Sequence, residues 1–126
     1  MRKWLIRLFV PIVLIFVLAG CGKNSDIIEM VNIYKMISFS ITEEDSLITY
    51  TDSSVVNIFI VAFNNAKRLP GIFDVANPEY KVELGDQTYF LWIHQDSGSM
   101  MNSNDTNALY RLSNSSAKKI YGLLKE

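Results

Sequence analysis

The chain has 126 residues, 49% hydrophobic and 20% charged, with a formal net charge of −1, one cysteine and one histidine. A single cysteine excludes an internal disulfide, and one Cys with one His excludes the clustered ligand sets of zinc sites. The charge balance also argues against nucleic acid as a partner, because phosphate binding needs clustered Lys and Arg.

The first element is a targeting segment. Arg2, Lys3 and Arg7 precede an uncharged apolar stretch over residues 8–19, the tripartite form of a secretory signal. That stretch is too short to cross a bilayer, which takes roughly 20 apolar residues at 1.5 Å rise each, and Pro11 would disturb a helix interior. Leu18-Ala19-Gly20-Cys21 then places a nucleophilic thiol directly after a leucine and two small residues. This pattern resembles the lipobox of bacterial lipoproteins. The resemblance implies a thioether to diacylglycerol at Cys21 as the one covalent attachment, with cleavage before it. The bland alternatives are an ordinary cleaved signal that leaves Cys21 a free terminal thiol, or an uncleaved anchor.

A diacyl anchor is stable where one chain is not, because each buried methylene contributes about 0.8 kcal/mol. Residues 22–26 form a tether that reaches about 17 Å when extended, so a lipidated domain sits close to the headgroups. Loss of residues 1–20 removes three of the twelve Lys and Arg and none of the thirteen Asp and Glu, and the formal charge goes from −1 to −4. No basic run is left to hold anionic lipid. The expected division is a signal over residues 1–20, a lipidated tether over 21–26 and a single domain over 27–126, enough chain to fold without disulfides.

Within the domain, apolar residues on the odd track from Ile27 to Ile41 predict one long strand. Glu43-Glu44-Asp45 predicts a turn, and Leu47 to Thr51 a short strand that pairs back. Asp52 or Ser53 suits a helix N-cap. Val55, Phe59, Ala62, Ala66 and Leu69 form an apolar stripe at helical spacing, with Lys67 and Arg68 expected in the last turn and Pro70-Gly71 ending the helix.

Tyr80, Val82 and Leu84 alternate with charges up to Gly85-Asp86, which predicts a tight hairpin with Leu84 opposite Gln87, Val82 opposite Tyr89 and Tyr80 opposite Leu91. The other hairpin face carries Lys81, Glu83, Thr88, Phe90, Trp92 and His94. Ser97-Gly98-Ser99 reads as a turn, Met100-Met101 as a short strand, residues 102–105 as a turn, and residues 106–112 as a last strand. Ser113 or Asn114 caps a helix lined by Ala117, Ile120, Tyr121 and Leu124. The expected fold class is α+β, an antiparallel sheet of five to six strands with two helices packed on it.

Catalytic chemistry has little to work with. His94 with Asp96 or Asp105 is the one conceivable nucleophile-activating set, and no glycine pattern marks a nucleophile elbow. Asp96, Asn102, Asn104 and Asp105 supply oxygens near two turns but match no calcium loop. The unusual feature is Phe90, Trp92 and His94 on the charged face of the hairpin. Either that face is covered by another element, or it is an exposed surface for a partner.

Pro70-Gly71-Ile72, Asp74-Val75-Ala76, Pro78-Glu79-Tyr80, Leu91-Trp92, Ser97-Gly98-Ser99-Met100, Asn104-Asp105-Thr106 and Tyr110-Arg111-Leu112-Ser113 occur in this order. Together they resemble the YhfM-like domain of small Bacillus-type lipoproteins. The resemblance runs from Leu69 to the end and includes the signal plan. It implies a low-GC Gram-positive bacterium, attachment to the outer face of the cytoplasmic membrane, and a small domain with no assigned enzymatic activity, cofactor or catalytic residues. The expected function is a lipid-anchored, non-enzymatic module that binds an envelope protein or peptide. A small envelope hydrolase or ligand-binding protein built around His94 is the alternative.

Overall fold

The computed structural model describes residues 27–71 and 73–125. The lipobox Leu18, Ala19 and Gly20, the lipidation candidate Cys21, and the boundaries at residues 20 and 26 lie outside the described residues. No helix among the described residues is long and apolar enough to cross a membrane.

The elements are β1 (Val31–Ser38), β2 (Ile41–Thr42), β3 (Ile48–Tyr50), α1 (Ser53–Asn64), β4 (Lys67–Arg68), β5 (Tyr80–Leu84), β6 (Gln87–Ile93), β7 (Gly98–Asn102), β8 (Asp105–Arg111) and α2 (Asn114–Leu124). They form an α+β fold on one antiparallel sheet, ordered β2-β1-β5-β6-β7-β8-β4, with β3 also paired to β1. The predicted hairpin holds at every position, with Leu84 opposite Gln87, Val82 opposite Tyr89 and Tyr80 opposite Leu91. Gly85 opens its turn at φ +66°, a left-handed value that favours glycine.

Both helices cover the same sheet face. Val56, Phe59, Ala62 and Phe63 of α1, with Ala117 and Ile120 of α2, pack over Val31, Ile33, Val82, Leu91, Ile93 and Met100. The helices start where short polar side chains can take up free amides. Asp52 Oδ1 accepts from the Ser54 N–H at 2.9 Å, and Ser113 Oγ accepts from the Ser116 N–H at 3.2 Å.

The sheet has eight strands rather than five to six. The long first strand breaks at Phe39-Ser40, and its continuation turns back as β2 with a register irregularity between Met36 and Ser38. The other added strand comes from the tail of the expected first helix. That helix ends at Asn64, with Asn65 at φ −96° and its N–H donating to the Val61 carbonyl at 3.0 Å. Lys67 and Arg68 are therefore not in a last helical turn, because pairing with Arg111 and Tyr110 satisfies the edge of β8. A helical stripe fixes which residues share a face, but not where that face stops being useful.

The turn expected at Ser97-Gly98-Ser99 lies one step earlier. His94 donates its backbone N–H to the Ser97 carbonyl at 2.8 Å, and Gly98 already belongs to β7. Gly98 is there for space: a Cβ on it would stand 2.8 Å from Ile93 Cδ1 and 3.1 Å from the Trp92 carbonyl oxygen.

Candidate functional site

A central strand such as β6 has two faces to account for. Leu91 and Ile93 point into the helix-covered core, so alternation sends Phe90 and Trp92 to the opposite face. There Phe90, Met101 and Leu109 form a second buried cluster with Leu69, Val75, Met36 and Trp92 around it.

What covers this face is a strap formed by residues 69–71 and 73–79, held at three places. The Leu69 N–H donates to the Leu109 carbonyl at 2.8 Å. The Trp92 indole Nε1 donates to the Ala76 carbonyl at 3.1 Å. At the far end, the Glu79 N–H donates to the Leu91 carbonyl at 3.1 Å. The Glu79 carboxylate also accepts from the Ile93 N–H at 2.8 Å and meets the Lys125 ammonium at 3.2 Å. Partial burial pulls the Lys125 pKa down, but the Glu79 hydrogen bond and the neighbouring Tyr80 and Glu79 outweigh it and leave it above the usual lysine value. The strap is thus tied to the strands and to the end of α2.

The cover is incomplete. Phe39, from the turn after β1, stands edge-on to Phe90 with ring centroids 5.2 Å apart and lies 6.1 Å from Trp92. Between it and the strap a cleft of about 530 Å³ opens, with Phe90 and Met101 as floor and Phe39, Phe73 and Val75 as walls. Asp74, Ser103 and Thr106 give it a polar rim. Phe39 and Phe73 are each 37% exposed. The cleft has the size and apolar lining with a few polar groups that ligand sites share.

The structure divides the three residues nominated from sequence. Phe90, at 9% exposure, is a floor residue rather than a free surface contact. Trp92 is half-buried, its N–H committed to the strap. His94 is exposed one residue past β6. Among the described residues, neither Asp96 nor Asp105 bonds to His94. Asp105 pairs with Asn102 at the far end of β7, while Gly98 lies beside the His94 turn. Four residue steps at ~3.3 Å separate those ends by ~13 Å. No group of three or more His, Cys, Asp or Glu that could hold a metal occurs among the described residues.

Phe39, Phe73, Val75, Ser103 and Thr106 carried no signal in the sequence as site residues. Phe39 reads as one more member of an alternating strand, and the strap has no periodicity at all. The ladder from β1 through β5, β6 and β7 to β8 brings Phe39, Ser103 and Thr106 to one face, and the strap adds Phe73 and Val75.

Fold and site define a small α+β domain with one sheet face under helices and the other under a strap that leaves an aromatic cleft. The chain belongs to the YhfM protein family, whose model matches residues 29–126. The match takes in β1 to β3 as well as the strap and the meander. No curated protein and no solved structure matches the chain.

Proposed function

We propose that this chain is a lipid-anchored module on the extracytoplasmic face of the cytoplasmic membrane that binds a protein or peptide, without catalysis of its own. Anchoring rests on Leu18-Ala19-Gly20-Cys21 after an apolar segment too short to span. Binding rests on one observation, the cleft between the half-exposed rings of Phe39 and Phe73. The sheet edges are poorer candidates. β2 and β4 have two residues each, β3 has three, and β4 is Lys-Arg, features that discourage strand addition.

The two halves are tested separately. Mass spectrometry of the membrane fraction should find the terminal peptide carrying diacylglycerol at Cys21, and Cys21→Ser should lose it. A photoreactive residue at Phe73, in intact cells, should crosslink a defined partner that the same residue at Val61 does not. Val61 is 42% exposed on α1, away from the cleft. Equal yields from both positions, or no crosslink from Phe73, would count against the cleft.

A further inference from the structure

Lys67 and Arg111 stand directly opposite each other across the ladder of β4 and β8. Like charges in that position repel and destabilise a sheet. Arg68 follows on the same edge strand. Among the described residues none of these three cations meets a carboxylate, although Lys125 does, through Glu79. Acids are not scarce, since the chain has thirteen Asp and Glu. The absence is one of placement.

Edge protection accounts for the charges on β4, but Arg111 lies one strand further in, where it protects no edge and adds only repulsion. Lys67 and Arg111 both line a pocket of about 380 Å³, with Asn65, Ser113 and Asn114 beside them and Leu69 and Leu112 as its apolar part. Asn65 directly follows α1 and Asn114 begins α2, so two segments of the chain, residues 65–69 and 111–114, form the pocket around the two cations.

We propose that this pocket binds a phosphate group. A guanidinium presents paired donors in a fixed fork, an ammonium adds a compact charge, and together they suit a tetrahedral oxyanion with more acceptor oxygens than a carboxylate has. The side-chain amides of Asn65 and Asn114 add neutral donors. A bound phosphate turns the cross-strand repulsion into a bridge.

The pocket lies away from the point where the chain enters the domain. Ile28 packs at the Gly85 turn, its Cγ1 3.2 Å from where a Cβ on Gly85 would stand. The row Trp92, Ser99, Arg111 and Lys67 crosses the sheet nearer its other end. The five steps from Gln87 to Trp92 put it ~16 Å along β6 at ~3.3 Å per residue. The phosphate is therefore a soluble one, or an ester approaching from the side away from the tether, rather than a headgroup of the anchoring bilayer.

The test uses the full chain in nonionic detergent, titrated calorimetrically with inorganic phosphate and, separately, acetate. Phosphate should bind and acetate should not. Arg111→Gln and Lys67→Gln should each weaken binding by about tenfold or more, the effect of losing a hydrogen bond to a charged group. Lys67→Arg should retain it, and Lys118→Gln on the outer side of α2 should leave it unchanged. In phosphate-free buffer Arg111→Gln should melt no lower than wild type, because repulsion is relieved, and phosphate should raise the melting temperature of wild type more than that of Arg111→Gln. No heat with phosphate, an equal response to acetate, or binding untouched by Arg111→Gln would overturn the proposal. In phosphatidylcholine vesicles at physiological ionic strength, added phosphatidylglycerol should not compete. Competition would overturn the placement away from the bilayer.

Discussion

The indole Nε1 of Trp92 reaches the carbonyl oxygen of Ala76 at 3.1 Å, tacking the middle of the strap to the open face of the sheet. Trp92→Phe keeps an aromatic ring there and removes the donor. The bond lies where water can reach it, so its loss should cost about 0.5–1 kcal/mol, the low end for a neutral hydrogen bond. The local effect should be larger than the global one. Hydrogen exchange over residues 73–78 should speed up while α1 and β6 keep their protection. Unchanged exchange in the strap would show that its two ends suffice to hold it.

Phe39 and Phe59 make a contrast in what an aromatic ring does. Phe59, on the inner face of α1, is fully buried, and Phe59→Ala should cost about 3–5 kcal/mol. That is much of the stability a small domain has. Phe39 is 37% exposed and stands edge-on to Phe90 at 83°. Beyond the area it buries, such a pair is worth about 0.5–1.5 kcal/mol. Urea unfolding should therefore find Phe39→Ala folded and far milder than Phe59→Ala, while crosslinking from Phe73 falls. Normal crosslinking in Phe39→Ala would remove that ring from the proposed contact.

Gly98→Ala should destabilise by about 1–3 kcal/mol, the usual effect of overpacking. Ile93 Cδ1 can swing away from the new Cβ, but the Trp92 carbonyl oxygen at 3.1 Å is backbone and Leu112 Cδ1 at 3.1 Å is in the core. Thermal melting tests this directly, and a variant as stable as wild type would mean that β7 shifts freely against β6.

Asp52 gives a pH signature. Its pKa is lowered from 3.8 by the hydrogen bond from the Ser54 backbone N–H, with the Ser54 hydroxyl adding to it. A carboxylate depressed in the folded state contributes stability that is complete above its unfolded pKa and lost as pH falls through the folded value. Melting temperatures should therefore converge between wild type and Asp52→Ala as pH drops below about 4, and separate above it. A gap independent of pH would mean that the cap acts without its charge.

Much of the fold was legible because its signals are local. The register of β5 and β6 follows from alternation and the Gly85 turn, and α1 begins at Asp52 because a short acceptor there meets orphan amides. The sites were less legible. Phe90 and Trp92 stood out because an aromatic pair on a charged face breaks the pattern, yet the sequence could not show that Phe90 is a floor and His94 lies outside the cleft. Phe39 and Phe73 gave no sign, since each takes its role from a neighbour more than fifteen residues away.

By itself the sequence determined the family, the α+β class and the register of the hairpin, and gave in Leu18-Ala19-Gly20-Cys21 the reason to expect an anchor. These depend on periodicity and short motifs, which neighbouring residues carry between them. Tertiary structure alone decided that both helices share one sheet face, that Lys67 and Arg68 leave the helix for an edge strand opposite Arg111, and that the strap closes most of the other face. Each of those depends on which distant surface is available to be buried or paired, and no local pattern encodes that.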